Sequence, residues 1–363
     1  MILEEAVRKS WNMEGSGRSP APFSLLLCLF SLPYGVAVTL RNRLYDRGLL
    51  RQERLPCPVI SVGNLTVGGT GKTPTVILLA KLLREKGRRP AVLSRGYGGR
   101  AKGPVNTVSD GKDLLMGWRE AGDEPALIAR SVPGVPVLTG ARRLLTGQAA
   151  IGRYGADILI LDDAFQHRAL HRDADIVLVH AARPFGNGRL LPREPLREPL
   201  SALARAHLLI RTGGPSSPED EPSLPEIPAM PVFRGIRRPL GVVAGESGCL
   251  LPAASLQGEK VCAFAGIGRP EAFRASLAEL GSDVVAFCPF PDHHPYSRRD
   301  LEALRRAAAG AGARRIVTTE KDFVRLSAFP DFQKEVSSLR IGMEITPAEE
   351  FTEVLFPLLR QEG

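Results

Sequence analysis

The segment Val59 to Pro74, VISVGNLTVGGTGKTP, carries an apolar run into a glycine-rich turn that closes on Gly-Lys-Thr. Residues of these types in this order make an anion cradle. Glycines let backbone N–H groups turn inward, the following helix adds its positive end, a lysine reaches the β- and γ-phosphates and a threonine hydroxyl ligates Mg²⁺. Gly68, Gly69, Thr70, Gly71, Lys72 and Thr73 are therefore the candidate nucleotide-binding residues, with Lys72 the candidate catalytic cation and Thr73 a candidate metal ligand. The strict pattern places glycine six residues before the lysine, where this chain has Thr66; Gly63 and Gly68 stand on either side of it. A glycine-rich loop without a ligand is the bland alternative, and it does not account for the apolar helical pattern Val76 to Leu83 that follows.

A second constellation is ILILDDAFQH, Ile158 to His167, four apolar residues ending in two carboxylates. A rigid strand end that holds an aspartate against Mg²⁺ beside phosphates needs this arrangement, so Asp162 and Asp163 are candidate metal ligands. Successive strand side chains face opposite ways, so an ideal strand end turns one of them to the metal and leaves the other for a water or a lysine. Gly122 to Pro125, GDEP, opens a helical pattern, and on residue type alone Asp123 there is a helix N-cap. Lys321 and Asp322 either face a cleft or pair with each other on the surface, and the glycines of Phe264 to Gly268 fit a plain strand-to-helix turn.

The elements that must position these groups alternate along the chain. Apolar strand-like runs at Val59–Val62, Ala91–Ser94, Val135–Leu138, Ile158–Leu161, Ile176–Val179 and Leu208–Ile210 are separated by helical patterns near Glu124–Arg130 and Arg142–Arg153. Near-continuous apolar strands between helices imply a parallel sheet covered on both faces, with ligands at the strands' carboxyl ends. The expectation is an α/β P-loop NTPase-like sheet at 46–211, in which the phosphate loop, the Ser94–Gly99 turn and the aspartate pair converge in one cleft. The Pro-, Ser- and acid-rich stretch at 212–232 suits a connector. Beyond it, Val261–Ala265, Val284–Phe287, Ile316–Thr318 and Leu339–Ile345 alternate with helices at Glu271–Leu280, Arg299–Ala309 and Ala348–Arg360, a second, smaller α/β domain at 233–363.

Composition sets the outer bounds. A 363-residue chain, 44% hydrophobic, has material for two cores, and its formal charge of +9 (48 basic minus 39 acidic residues) favours anionic partners. Aromatic residues make up 6% and no nucleic-acid module is recognisable, so a nucleic-acid partner is not expected. Five scattered cysteines, none in C-x-x-C spacing, argue against a disulfide framework and for a reducing compartment. Residues 1–22 read as a loose extension. Residues 23–45 contain the uncharged run Phe23 to Leu40, interrupted by Pro33 and followed by Arg41, Arg43, Arg47 and Arg51. A helix lying in or dipping into a membrane surface fits this better than a full span, and a buried helix of a soluble domain is the alternative.

Taken in order, GNLTVGGTGKTP, SRGYGG, GDEP, LDDAFQHR, LREPL, FPDHHPY and TTEKD, after an apolar N-terminal segment, resemble the tetraacyldisaccharide 4′-kinase family over essentially the whole chain from Phe23. The resemblance implies transfer of the γ-phosphoryl group of ATP, with Mg²⁺, to the 4′-hydroxyl of a tetraacylated disaccharide phosphate lipid. The place implied is the cytoplasmic face of a bacterial inner membrane, with no obligate protein partner. It further implies that Asp123 is the base that takes the hydroxyl proton, that His293 is its partner, and that the active site lies between the two domains. Less specifically, it implies Glu198 as a second metal-side carboxylate and Arg95, Tyr97 and Arg143 as substrate contacts. The family pattern continues the aspartate pair with glycine where this chain has Ala164, which demands an ordinary backbone angle there. A nucleotide-controlled switch of GTPase or metallochaperone type is the competing reading. It needs a guanine-recognition motif, which TEKD at Thr319–Asp322 matches only loosely.

Overall fold

The computed structural model describes residues 21–186, 188–214, 224 and 227–360. Residues 1–20 of the expected extension, and 215–223 and 225–226 of the expected connector, lie outside them. In chain order the elements are α1 (Ala21–Asp46), β1 (Val59–Gly63), α2 (Lys72–Glu85), β2 (Pro90–Ser94), β3 (Asn106–Ser109), α3 (Trp118–Ala121), α4 (Asp123–Ser131), β4 (Val137–Thr139), α5 (Arg143–Tyr154), β5 (Ile158–Asp162), β6 (Ala174–His180) and β7 (Leu208–Thr212). There follow β8 (Val232–Ala244), β9 (Leu250–Leu251), β10 (Lys260–Ala265), α6 (Pro270–Glu279), β11 (Asp283–Pro289), α7 (Arg298–Gly310), β12 (Arg315–Thr319), α8 (Glu320–Arg325), α9 (Pro330–Glu335), β13 (Val336–Thr346) and α10 (Ala348–Leu358).

The chain divides into two compact units, neither continuous in sequence: 1–72 with 157–236 and 345–363, and 73–156 with 237–344. In the first unit β5, β1, β6, β7 and the opening residues of β8 pair in that order, all parallel. Every residue of β1 and β5 is buried, as strands covered on both faces require. Leu65, Phe165, Val177, Leu196, Leu203 and Leu209 form a core beside them. Glu198, 1% exposed, receives Arg41 at 3.3 Å, Asn42 at 3.2 Å and Arg205 at 2.5 Å, while the Tyr34 hydroxyl donates to the Arg197 carbonyl at 2.9 Å. These bonds fix one side of α1. The other side exposes Leu25, Leu29, Leu32, Val36 and Leu40.

In the second unit β2 lies parallel to β4, with β3 antiparallel on β4's other edge, and a parallel set runs β11, β10, β12, β13. Two cores flank that set: Cys262, Phe264, Tyr296, Leu304 and Phe332 in one, Val261, Ala263, Phe273, Leu277 and Val317 in the other. The mostly parallel α/β class is the one expected from the alternating pattern. Two strands depart from the sequence expectation. β3, NTVS, is short and half polar, and β8, VFRGIRRPLGVVA, is interrupted by three arginines, two glycines and a proline, so neither shows an uninterrupted apolar run.

Candidate active site

The phosphate loop follows β1 in the first unit. Gly68 and Gly71 have φ of 132° and 92°, a left-handed range that a Cβ disfavours, and Gly68 and Gly69 face open space. The loop is braced from its polar side chains: Asn64 Nδ2 donates to Thr70 Oγ1 at 3.1 Å, and Thr212 Oγ1 donates to the Thr70 carbonyl at 2.8 Å. Its flank is held by the bonds from Val67 N to the Pro195 carbonyl and from Arg197 N to the Leu65 carbonyl, 2.8 and 2.7 Å. Lys72 and Thr73 are the first two residues of α2, the place where N–H groups and the helix dipole favour an anion.

β5 ends at Asp162, and Asp163 follows it with φ of 50°. The alternation rule for strand side chains therefore stops at Asp162, and Asp163 turns to a lysine: its Oδ1 lies 3.6 Å from Lys72 Nζ and 2.8 Å from Arg197 Nη1. Burial pushes the Asp163 carboxyl up, but Lys72 and Arg197 outweigh it and hold the group below the usual carboxylate range. The left-handed angle falls on Asp163 and not on Ala164. Thr73, Asp162 and Asp163 supply hard oxygen donors of the kind Mg²⁺ takes alongside substrate phosphates. Glu198, expected as a further metal-side carboxylate, is instead surrounded by the nitrogen donors of Arg41, Asn42 and Arg205.

The second unit brings together Asp123 and His293, 170 positions apart, at 2.9 Å from Oδ2 to Nδ1. Gly122, not Asp123, is the N-cap of α4; Asp123 is its first residue and accepts the Glu124 N–H on Oδ1 at 3.0 Å. His293 has φ of 59°, and with Asp163 it makes the pair of non-glycine residues at positive φ among the described residues. Both are types that tolerate that region. Asp123 is 5% exposed whereas the His293 side chain is 43% exposed. Burial would push the Asp123 carboxyl up, yet the His293 hydrogen bond and the charges of Arg325 and Lys321 hold it well below the usual range. The bond to Asp123 in turn raises the His293 imidazole above its ordinary value, against the opposing effect of burial.

Arg325, which the sequence reading passed over, lies against this pair. Its side chain is 1% exposed and donates from Nε and Nη2 to Asp123 Oδ2, at 3.1 and 2.5 Å. Lys321 and Asp322 do not pair with each other: Lys321 bonds Glu124 at 2.5 Å, and the buried Asp322 accepts from Tyr296, Gly266 N, Arg325 and Thr319. Within TEKD both carboxylates are engaged inside the protein, Asp322 as described and Glu320 with Arg340 Nε at 2.9 Å and the Ile341 N–H at 3.3 Å. His294 bonds Asp300 and stacks near Phe290. Arg95 and Tyr97 are exposed in the turn after β2, while Arg143 is 3% exposed and donates to the carbonyls of Gly140 and Ala141. Arg197 was visible inside LREPL, and Arg325 stands three residues after Asp322, a helical spacing that signals a local ion pair.

Comparison with known proteins gives one family. A profile described as LpxK, tetraacyldisaccharide-1-P 4′-kinase, matches residues 23–360. A protein named tetraacyldisaccharide 4′-kinase from Syntrophus aciditrophicus is 51% identical, the match covering 99% of this chain and 100% of that one. Another of that name from Desulfatibacillum aliphaticivorans is 40% identical, with 97% and 96% covered. Among solved structures, LpxK from Aquifex aeolicus in complex with ATP superposes with a TM-score of 0.78 at 34% identity, covering 93% of this chain and all of that one.

Proposed function

Because the chain belongs to the tetraacyldisaccharide-1-P 4′-kinase family, we propose that it transfers the γ-phosphoryl group of ATP to the 4′-hydroxyl of a tetraacylated glucosamine disaccharide 1-phosphate. Phosphoryl transfer asks a protein mainly for positioning and charge neutralisation. Gly68 to Thr73 bind the triphosphate, with Lys72 on the β- and γ-phosphates and Asp163 and Arg197 holding the lysine's surroundings in place. Mg²⁺, when bound, neutralises charge on the transferring group, and Thr73, Asp162 and Asp163 are the residues that would hold it. The Asp123–His293 pair takes the proton of the acceptor hydroxyl, and Arg95 and Tyr97 are the exposed groups offered to the sugar.

The membrane side of the proposal rests on α1. Its exposed leucines and Val36 form an apolar face, and its Tyr34, Arg41 and Asn42 stay bonded to residues 166, 197 and 198, so the helix lies on the protein and dips shallowly into the cytoplasmic face of the inner membrane. An open groove of about 600 Å³ along it, lined by Leu32, Val36, Leu40 and Leu190 with Arg43 and Arg193, suits an acylated anion.

The observation that carries the reading is the Asp123–His293 hydrogen bond, since a nucleotide switch needs a phosphate loop but no proton-accepting pair. The test is transfer of labelled γ-phosphate from ATP to the detergent-dispersed disaccharide 1-phosphate. A labelled bisphosphate lipid is the expected product; nucleotide hydrolysis without labelled lipid would overturn the assignment.

A further inference from the structure

α1 carries two stripes. Leu25, Leu29, Leu32, Val36 and Leu40, spaced three or four apart, lie exposed along one face. Tyr34, two residues before Val36 and so about 200° around the helix from it, faces the protein with Arg41 and Asn42. This second stripe grips main-chain oxygens: the Tyr34 hydroxyl donates to the Arg197 carbonyl at 2.9 Å, and Arg41 Nη2 donates to the Gln166 carbonyl at 2.8 Å. The same two residues turn their side chains to the nucleotide site. Arg197 Nη1 donates to Asp163 Oδ1, the oxygen 3.6 Å from Lys72 Nζ. Gln166 Nε2 donates to the carbonyl of Asn64, whose own amide holds Thr70 in the phosphate loop. Arg197 Nη1 also lies 3.5 Å from Gln166 Oε1, which joins the two routes. Burial and the charge of Glu198 hold the Tyr34 phenol above its usual value, so the hydroxyl keeps its proton for the carbonyl.

We propose that Tyr34 and Arg41 are positioning residues for phosphoryl transfer: by fixing the carbonyls of Arg197 and Gln166 they hold the row Arg197, Asp163, Lys72 in register with the phosphate loop, so that α1 is part of the nucleotide site as well as the membrane anchor. The inference rests on the kinase reading and adds to it two residues that act through others. Its basis is geometric. A lysine neutralises charge on a transferring phosphoryl group only where its ammonium is held in place, and a displacement of about 1 Å costs about 10²-fold in rate. Lys72 is held through Asp163 and Asp163 through Arg197. The backbone of Arg197 is tethered twice, its N–H by the Leu65 carbonyl at 2.7 Å and its carbonyl by Tyr34. Removing the Tyr34 hydroxyl removes one of the two tethers from which the guanidinium reaches Asp163. An anchor that did no more than hold the chain to a bilayer would need the apolar stripe alone.

The test compares Tyr34→Phe, Arg41→Met and Arg41→Lys with the wild type in the full-length chain. Tyr34→Phe keeps the ring and loses only the oxygen, so it serves where Arg41→Met fails to fold. The exposed stripe is untouched, so co-sedimentation with anionic lipid vesicles should stay within about twofold of wild type. In Tyr34→Phe and Arg41→Met, kcat for transfer to the detergent-dispersed lipid should fall roughly 10- to 100-fold while KM for the lipid stays within about twofold. Arg41→Lys, which keeps a donor for the Gln166 carbonyl, should recover most of the loss. A role exercised through Arg197 also predicts non-additivity: in an Arg197→Met background, Tyr34→Phe should cost no more than about a further twofold. The full loss repeated in that background, a kcat within about twofold of wild type in both single variants, or a fall in rate matched by a fall in vesicle binding overturns the proposal. A second readout needs no acceptor. Because Lys72 reaches the γ-phosphate, the preference for a non-hydrolysable ATP analogue over ADP should fall by about threefold or more in Tyr34→Phe, and an unchanged preference overturns the proposal. A wild type that transfers nothing to lipid, with that preference still reduced in Tyr34→Phe, would sink the kinase reading and leave the positioning role standing.

Discussion

Asp123→Asn keeps the shape of the buried cluster and removes one charge from it. In the native protein Asp123 and Asp322 face the single guanidinium of Arg325, two negative charges and one positive, and a proton on His293 brings the sum to zero. After the substitution Arg325 keeps Asp322 at 3.0 Å, but its Nε and Nη2 donors meet a neutral amide. Hydrogen bonds to charged groups contribute about 1.5–3 kcal/mol and neutral ones about 1, so two such bonds lose about 1–4 kcal/mol. With Asp322 retained, about 2 kcal/mol is the expected loss, below the roughly 3–5 kcal/mol for orphaning a buried charge outright. That is a fall in Tm of about 4–8 °C for a unit of this size. Transfer to lipid should fall by about 10²–10⁴-fold, or roughly 2.7–5.4 kcal/mol of barrier, with ATP binding intact. Well below its melting point the variant is therefore folded and almost inactive. Thermal melts, nucleotide binding and labelled-phosphate transfer on one preparation check this; transfer within about threefold of wild type would refute the reasoning.

Lys72→Met should cut transfer by about 10²–10³-fold, while thermal melts change little because Asp163 retains Arg197. Stability should depend on pH through the pair. Asp123, held low, contributes stability that is complete above its unfolded pKa of about 3.9 and is lost as pH falls through its lower folded value. His293, held high, contributes stability present below its unfolded pKa of about 6.5 and lost as pH rises through its higher folded value. Melting curves across that upper window should show a decline in the wild type that His293→Gln lacks. In α1, the double variant Leu29→Asp/Val36→Asp alters exposed residues, so it should leave the melt unchanged in detergent and reduce co-sedimentation with anionic lipid vesicles by about tenfold or more; undiminished sedimentation would remove α1 from the membrane-binding role.

The phosphate loop and the end of β5 were legible because their signals are local: a glycine turn after an apolar run, and two carboxylates after another. The sequence leaves the second carboxylate for a water or a lysine, and Asp163 does lie beside Lys72; its left-handed backbone was not legible, since the alternation rule holds only while the backbone is extended. Asp123 taken alone suits a helix cap, and only the family resemblance joined it to His293, because no spacing rule reaches across 170 residues. The sequence leaves Lys321 and Asp322 either facing a cleft or pairing with each other; neighbours on a helix point about 100° apart, and each has a different partner. Arg325 shows how far local reading goes: its spacing from Asp322 announces an ion pair, and nothing in the sequence announces Asp123, 202 positions earlier.

That separation also sets a schedule for the chain during synthesis. The support for Asp123 consists of Gly266, His293, Asp322 and Arg325, all encoded after the whole 157–236 segment that belongs to the other compact unit. At ribosomal speeds of about 5–20 residues per second, the 202 positions between Asp123 and Arg325 take roughly 10–40 s to emerge. Through that interval the early half of the second unit carries, on what will become an enclosed helix start, a carboxylate with neither guanidinium nor imidazole beside it, and desolvating that charge is unfavourable until they arrive. Closure of this region is thereby deferred to the last third of translation, and a nascent chain released before residue 325 has no means of completing the cluster.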